Sequence, residues 1–331
     1  MLEQKLFVIA ADTALPALLY HGLKPDAVVS IDCQHISYSH FMGINCRDVP
    51  LFLDIASPPM LPEFSDHPFF FSGGHPLAVY ISQQWRPLPV LDTSGGNVAY
   101  ACLSLAESLG AQRITVYGAD FSYPAGRVYA RGTYIYPFFE RRQNRFSPAE
   151  SHLSSFLYRS PFLPAEDTAD SGAGSPPYET ATLRSYRKTF EDKISTMEGR
   201  VSAAPGGGIP LSIRQIPPLY GMAPDIGSRI FNLFAPGKTI MNANRFLEQY
   251  RRDIAVLPVI GSTNYNTGIY LRNLGVDERR VFVTLLPQAA ALKHRHPELS
   301  TPELIEAVKR YCVNEIDRVL NSSLLFSGAQ G

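Results

Sequence analysis

The feature that most constrains the fold is a series of short apolar segments in the first 120 residues, each followed by a turn or a short helical segment. Short apolar runs bounded by polar residues are typical of buried strands. The predicted strands are Leu6–Ala10, Pro25–Ile31, Pro50–Ile55, Pro68–Ser72, Leu88–Leu91 and Ile114–Tyr117. Because short helical segments alternate with these strands, the sequence predicts an α/β protein with a Rossmann-like, doubly wound and mostly parallel sheet.

The rest of the chain has a different pattern. Apolar residues spaced three to four apart predict a helix over Leu183–Met197, and further helices are expected over 242–255, 285–294 and 301–320. Residues 124–178 carry no regular pattern, and Glu166–Pro177 has the composition of a linker. We therefore expect a Rossmann-like domain over residues 1–215 and a mainly α-helical region over residues 216–331.

Composition excludes several classes of protein. Thirty basic and thirty acidic side chains give a net charge of zero, which argues against a nucleic-acid partner. No apolar run is long enough to span a membrane, and the N-terminus lacks the pattern of a signal peptide. The four cysteines have no metal-binding spacing and are expected to be free thiols. We expect a cytoplasmic protein, and the oligomeric state is left open.

The zero net charge hides a gradient along the chain. Residues 1–110 carry four basic and ten acidic side chains, a net charge of −6, and the remainder carries 26 basic and 20 acidic, a net charge of +6. The densest basic stretch, residues 127–145, holds five arginines against Glu140. Arginine suits bidentate contact with phosphate or carboxylate. This stretch is either a solvated loop or an anion-binding flap, and Arg131 is its candidate ligand residue.

The strongest local motif is Ser94-Gly95-Gly96-Asn97, which follows a predicted strand and begins a helix. Small residues let a ligand approach the backbone closely. The first N–H groups of a helix have no partner inside it, so they can bind a phosphate or carboxylate. The alternative is a tight connection without a ligand.

Acidic residues follow several of the predicted strands. They are Asp12, Asp32, Asp92 and Asp120. The carboxyl ends of parallel strands meet at one edge, where ligands bind in such sheets. A carboxylate there can bind Mg²⁺, accept a hydrogen bond from a ribose hydroxyl or act as a general base. Each of them could instead be a helix cap, with Asp12 or Thr13 capping the first helix.

Three segments resemble the MptE-like superfamily, which includes archaeal 6-hydroxymethylpterin diphosphokinases and bacterial Maf motility-associated flagellin glycosyltransferases. Ala10–Gln34 is similar to the opening of that family, and Ser94–Ala99 with Ile114–Gly126 is similar to its second block. Thr182–Glu191 and Gly206–Ile209 resemble its weaker third block. The family usually has a strand and a glycine turn upstream of the first block, and we expect this element to be missing here.

The resemblance implies a Rossmann-like transferase domain with a nucleotide-activated donor. In the Maf branch a CMP-activated nonulosonic acid is transferred to Ser or Thr of flagellin, a function in motility. In the pterin branch ATP gives a diphosphoryl group to a pterin alcohol with Mg²⁺. The long basic segment and the helical C-terminal region favour the Maf branch. A degenerate, non-catalytic binding scaffold is the third alternative.

The implied site follows from the motif positions. Asp32 or Asp120 would deprotonate the acceptor hydroxyl or hold Mg²⁺, and Arg131 would neutralise the departing phosphate. The residues expected to line the nucleotide pocket are Asp12, Thr13, Asp32, Ser94, Gly95, Gly96, Asn97, Asp120 and Ser122.

Overall fold

The computed structural model describes residues 6–157, 163–164, 178–197, 199–213, 230, 233–234, 237–259 and 267–327. The chain divides into two compact units. The sheet unit comprises Met1–Gly73 and Pro89–Ala235, and the helical unit comprises Gly74–Leu88 and Pro236–Gly331. The domain boundary predicted at residues 215 and 216 and the predicted linker Glu166–Pro177 lie outside the described residues, so both stay predictions.

The regular elements are short strands and helices of very different lengths. The strands are β1 (Ile9–Ala11), β2 (Ala27–Ser30), β3 (Leu51–Asp54), β4 (Pro68–Phe71), β5 (Ile114–Val116), β6 (Leu163–Pro164), β7 (Tyr178–Glu179) and β8 (Val201–Ala203). The helices are α1 (Leu15–Tyr20), α2 (Ile36–Ser39), α3 (Pro76–Gln84), α4 (Val98–Ser108), α5 (Ile135–Glu140), α6 (Ala149–Leu157), α7 (Ala181–Ser195), α8 (Ala243–Ala255), α9 (Thr267–Asn273), α10 (Val276–Arg295) and α11 (Thr301–Ser327).

The main sheet of the sheet unit has four parallel strands in the order β1-β2-β3-β4. All residues of β2 and β3 are buried, as expected of strands that helices cover on both faces. Past the end of β4, Ser72 forms a parallel bridge with Val90, where the sequence predicts a fifth strand.

Successive residues of the central strands point to opposite faces of this sheet. Val28 and Leu53 pack with Leu15 of α1 on one face. Val29 and Phe52 pack with Ala101 of α4 on the other. After β4, at one side of the sheet, the chain crosses back toward the other side. There α4 packs against β1 and β2. This reversal and the helices on both faces confirm the Rossmann-like α/β prediction.

A second pair of parallel strands, β5 and β8, also belongs to the sheet unit. Tyr100 and Leu103 of α4 pack with Phe190 and Ile194 of α7 and with Val201 of β8. Since Ala101 of α4 faces the main sheet, α4 is buried on two sides. This explains why its apolar positions are not confined to one stripe.

The prediction that residues 124–178 are irregular is wrong in part. This stretch contains α5 and α6, which pack on each other through Ile135, Phe139 and Leu153. α5 has six residues and contains Pro137, and α6 has nine residues, so both are too short to show a clear helical repeat.

The helical unit is built around α3 and the last four helices. Its core contains Tyr80 of α3, Phe246 and Tyr250 of α8, Phe282 of α10 and Val308 of α11. The mainly helical character predicted for the C-terminal region is confirmed for the described residues, although α10 begins nine residues before the predicted start at residue 285. Among the described residues, no helix combines the length and apolarity that crossing a membrane requires.

Candidate functional site at the carboxyl edge of the main sheet

Asp12 lies at the carboxyl end of β1 and is 1% exposed. Its Oδ2 accepts a hydrogen bond from Ser30 Oγ at 2.6 Å, and its Oδ1 accepts one from Thr13 N at 2.7 Å. Burial raises the pKa of Asp12 and the negative charge of Asp32 adds to this effect, so that the pKa is about 6 in spite of the two hydrogen bonds. Because β1 and β2 are parallel neighbours, Asp12 and Asp32 follow them at the same edge of the sheet.

The expected helix cap at this position is wrong. Residues Asp12–Ala14 form a 3₁₀ turn, and α1 begins only after it, with no side-chain cap at Ala14. The Asp12 carboxylate instead reaches across to Ser30 at the end of β2. Thr13 is half-buried beside it.

Asp32 follows β2 and is half-buried. Its Oδ1 accepts a hydrogen bond from Gln34 N at 2.9 Å, while no described residue donates to its Oδ2. Burial lowers the pKa of the neighbouring His40, and the charge of Asp32 opposes this change. One carboxylate oxygen of Asp32 thus has no hydrogen-bond donor within the described part of the chain, and a general base needs such an oxygen.

The Ser94–Asn97 turn is fixed by Asp92. Asp92 accepts hydrogen bonds from Ser94 N, Ser94 Oγ and the hydroxyl of Tyr100, and Lys193 Nζ lies 3.5 Å from its Oδ2. Burial raises the pKa of Asp92, but the hydrogen bonds from Ser94 and Tyr100 and the charge of Lys193 outweigh it and lower the pKa to about 2. Asp92 therefore stabilises the turn as an anion.

The two glycines of the turn are needed for different reasons. Gly95 is buried, and a Cβ there would lie 2.1 Å from the ring of Tyr100. Gly96 is exposed and has a φ of 70°, which an L side chain adopts only with strain. Gly95 thus lets the chain pass close to Tyr100, and Gly96 lets it turn before α4 begins.

Asn97 caps α4, which begins where the motif predicts a helix. Its Oδ1 accepts a hydrogen bond from Tyr100 N at 2.9 Å, and its Nδ2 donates to Gly95 O at 3.1 Å. The N–H groups of Val98 and Ala99 donate to no described residue. An anion could accept hydrogen bonds from these two N–H groups.

Cys102 connects this helix end to the first site residues. Burial raises the pKa of its thiol, and the charge of Asp12 adds to the effect. α4 packs against β1 and β2 and begins after the parallel bridge at Val90, so its start lies at the edge where Asp12 and Asp32 follow their strands.

Asp120 and Ser122 follow β5 and face the glycine-rich loop after β8. Asp120 Oδ1 accepts a hydrogen bond from Gly208 N at 3.0 Å, and Ser122 Oγ accepts one from Ile209 N at 3.1 Å. Both residues are in the sheet unit, but at the end of the second strand pair rather than of the main sheet.

Arg131 is exposed, with no ion pair to any described residue. The next residue, Gly132, packs against α1, where a Cβ would lie 2.6 Å from Tyr20 Cβ. Two residues further on, the ring of Tyr134 lies 4.7 Å from that of His40. The arginine-rich segment is therefore anchored beside α1 and α2 and is not a free loop.

Sequence reasoning missed two charged groups near these residues. Asp54, at the end of β3, is buried and accepts hydrogen bonds from Gly73 N and Ala56 N. It follows an apolar run just as Asp12 and Asp32 do, so the same pattern could have identified it. Lys193, on α7, is distant in sequence from Asp92, and no local motif indicates their contact.

Comparison with known proteins covers mainly the N-terminal part. Residues 1–126 match the model of a family described as 6-hydroxymethylpterin diphosphokinase MptE-like. Among curated proteins, one uncharacterized protein of Treponema pallidum (strain Nichols) is 41% identical over 122 residues, which are 37% of this chain and 41% of that protein. Another from the same organism is 30% identical over 165 residues, or 46% of this chain and 42% of that protein.

Among solved structures, the Maf glycosyltransferase from Magnetospirillum magneticum AMB-1 is similar with a TM-score of 0.48 and 11% identity, over 94% of this chain and 45% of that chain. The chain spans less than half the length of each of these proteins. The resemblance inferred from the sequence is confirmed for residues 1–126, and the segments Thr182–Glu191 and Gly206–Ile209 lie beyond that match.

Proposed function

We propose that this protein is a transferase that binds a nucleotide-activated donor at the carboxyl edge of the main sheet. The observation that carries the proposal is the placement of Asp12 and Asp32 at the ends of two neighbouring parallel strands against which α4 packs, with two N–H groups at the start of α4 that have no partner among the described residues. Helix N-termini stabilise phosphate charge, and a carboxylate with an available oxygen can accept a proton. The match of residues 1–126 to a diphosphokinase-like family supports the same class of chemistry.

The reaction we favour is glycosyl transfer of the Maf type, from a CMP-activated nonulosonic acid to Ser or Thr of a protein such as flagellin. The acceptor oxygen forms a bond to the anomeric carbon, the bond from that carbon to the phosphate oxygen breaks, and CMP leaves. Asp32 Oδ2 takes the acceptor proton. The N–H groups of Val98 and Ala99, together with Arg131, stabilise the charge on the departing phosphate.

The second candidate is diphosphoryl transfer from ATP to a pterin alcohol, which the description of the matched family favours. This reaction needs Mg²⁺. Mg²⁺ is commonly held by one or two carboxylates together with substrate phosphates and water. Asp32 fits such a role because one of its oxygens has no described partner. When bound, the ion would offset phosphate charge, and Asp32 would then hold the metal rather than the acceptor proton.

Calorimetry of the whole chain with CMP, CDP, UDP and ATP, each with and without Mg²⁺, tests the proposal. Glycosyl transfer predicts binding of CMP without Mg²⁺, and diphosphoryl transfer predicts binding of ATP that requires Mg²⁺. If none of the four binds, the transferase proposal is wrong and the scaffold alternative gains support.

Asp32→Asn tests the proposed base. We expect the rate of CMP release from a CMP-nonulosonic acid, in the presence of a Ser- and Thr-containing acceptor protein, to fall by about 10²–10⁴-fold. The affinity for CMP should change little. Asp192→Asn, on the exposed side of α7, is the matched control and should retain the full rate. Equal rates for the two variants would exclude Asp32 as the base.

A further inference from the structure

A small cavity lies at the carboxyl ends of β5 and β8 in the sheet unit. Its volume is about 170 Å³, and Asp120 is the one charged residue in its lining. Pockets for complete small ligands usually measure roughly 300–1,000 Å³. This cavity can therefore hold one ring-sized part of a ligand and not a whole nucleotide.

Asp120 is held rigidly at this cavity by the glycine-rich loop. Gly208 N donates to its Oδ1, and a Cβ on Gly208 would lie 2.3 Å from the Cβ of Asp120. A Cβ on Gly206 would lie 2.6 Å from Asp120 Oδ1. Only glycines allow this close contact. The other carboxylate oxygen of Asp120, Oδ2, accepts no hydrogen bond from any described residue.

The backbone next to Asp120 is strained. Phe121 has a φ of 43°, the only positive value among the described non-glycine residues. Its ring is buried with Phe190 and Leu103, and the following residue, Ser122, is fixed by Ile209 N. A bulky residue in the left-handed region costs free energy and persists only where the surroundings enforce it. Here the enforced conformation turns the chain sharply between Asp120 and Ser122.

The chemistry of the cavity selects the kind of group that can bind. An ionised carboxylate only accepts hydrogen bonds, so it favours O–H and N–H donors and repels phosphate. Apolar residues, among them Val116 and Leu211, form other parts of the lining and can contact the face of a ring. The matching ligand is an uncharged ring that carries hydrogen-bond donors.

We propose that this cavity binds the ribose of the donor nucleotide, with the Asp120 carboxylate accepting hydrogen bonds from the ribose hydroxyls. This rests on the proposed function, since it assumes a nucleotide ligand. It makes Asp120 a binding residue, and it leaves Asp32 as the base. The phosphate is then bound elsewhere, at the start of α4.

Calorimetry of the whole chain with CMP and ATP, each compared with its 2′,3′-dideoxy analogue, tests this inference. A hydrogen bond to a charged group contributes enough that the dideoxy analogue of the nucleotide that binds should be weaker by roughly 10- to 100-fold. In Asp120→Ala, which removes every hydrogen-bonding atom of this side chain, the two forms should bind within about twofold of each other. Asp192→Ala is the control and should keep the wild-type preference, and thermal unfolding verifies that each variant folds.

The outcomes separate this inference from the proposed function. If the ribo and dideoxy forms bind wild-type protein equally, a nucleotide site exists and only the ribose assignment is wrong. A preference that survives in Asp120→Ala would also overturn it. The same panel with UMP in place of CMP, or ITP in place of ATP, removes the amino group of the base. If that change abolishes the Asp120-dependent affinity, the cavity binds the base and not the ribose. If no nucleotide binds, both proposals fail.

Discussion

At the scale of single residues, the carboxylates of the sheet unit differ because their surroundings differ. Asp92 is exposed and surrounded by donors, so its pKa falls to about 2. Asp12 has two hydrogen-bond donors as well, but burial and the charge of Asp32 dominate and raise its pKa to about 6. Removal from water therefore outweighs hydrogen bonding at Asp12, whereas hydrogen bonding prevails at Asp92.

The raised pKa of Asp12 predicts a specific pH dependence of stability. The folded state binds this proton more tightly than the unfolded state, in which the pKa is 3.8. Stability from this group is therefore present below about pH 4 and is lost as the pH rises through 6. Asp12→Asn cannot titrate, so its free energy of unfolding should gain about 2–3 kcal/mol relative to wild type between pH 4 and pH 7. Urea unfolding at several pH values measures this.

The difference in free energy of unfolding between wild type and Asp12→Asn reports on Asp12 alone, because both proteins share every other titrating group. A difference between wild type and Asp12→Asn that stays constant from pH 4 to pH 7 would contradict the raised pKa. Ser30→Ala serves as a control, since it removes a hydrogen-bond donor to Asp12 and leaves the carboxylate able to titrate.

Sequence reasoning found these carboxylates but not their partners. Asp12 and Asp32 follow recognisable apolar runs, so their place at one edge was predictable. Ser30 contacts Asp12 and Lys193 contacts Asp92 only in the folded chain, because each lies on a different element from its partner. A single sequence carries no pattern for such contacts. The same holds for the loop at Gly206–Gly208, whose contact with Asp120 joins segments 88 residues apart.

At the scale of elements, α4 offers a test that separates stability from ligand binding. Asn97→Ala removes the cap and should cost about 1 kcal/mol, within a range of roughly 0.5–2 kcal/mol. Asn97→Asp keeps the acceptor for Tyr100 N and should be about as stable as wild type. The new carboxylate would repel a phosphate at the start of α4, so we expect CMP affinity to fall by about 10-fold or more.

Both variants lose the hydrogen bond from Nδ2 to Gly95 O, so their difference in stability isolates the cap. Chemical denaturation and calorimetry with CMP provide the two measurements. Undiminished CMP affinity in Asn97→Asp would show that the phosphate is not bound at this helix.

The helical unit contains a buried hydrogen-bonded pair that predicts non-additive effects. The hydroxyl groups of Tyr250 and Thr284 are 2.5 Å apart, and Thr284 Oγ1 also donates to Val281 O. Thr284→Val leaves the buried Tyr250 hydroxyl without its acceptor and should cost about 1–3 kcal/mol. Tyr250→Phe combined with Thr284→Val should cost clearly less than the sum of the single changes. Additive costs in urea unfolding would contradict this coupling.

The predictable elements are those whose formation is decided locally. β2 and β3 are continuous apolar runs, and α4 has a capping residue and a terminal glycine, so the sequence locates them within a few residues. β8 has three residues, and its only distinguishing feature is its pairing with β5 across more than eighty residues. α3 belongs with the C-terminal helices although the chain places it among the strands, and this arrangement depends on contacts that no local pattern records.

At the scale of the whole molecule, charge distribution matters more than net charge. The chain is close to neutral at pH 7, with a pI of about 7.1, yet residues 1–110 and 111–331 carry opposite charges of −6 and +6. Proteins with little net charge repel each other weakly, and complementary regions attract. We therefore expect reversible self-association near pH 7 at low ionic strength.

Light scattering at increasing NaCl concentration measures this association. Because the Debye length shrinks from about 30 Å at 0.01 M to about 8 Å at 0.15 M salt, the attraction should weaken over this range and the apparent mass should fall toward that of one chain. Raising the pH to 9 should have the same effect, since it gives every molecule a net negative charge. Association that strengthens with salt would instead indicate contact through apolar surface, and the exposed Phe146 and Val276 would then be the first residues to replace with polar ones.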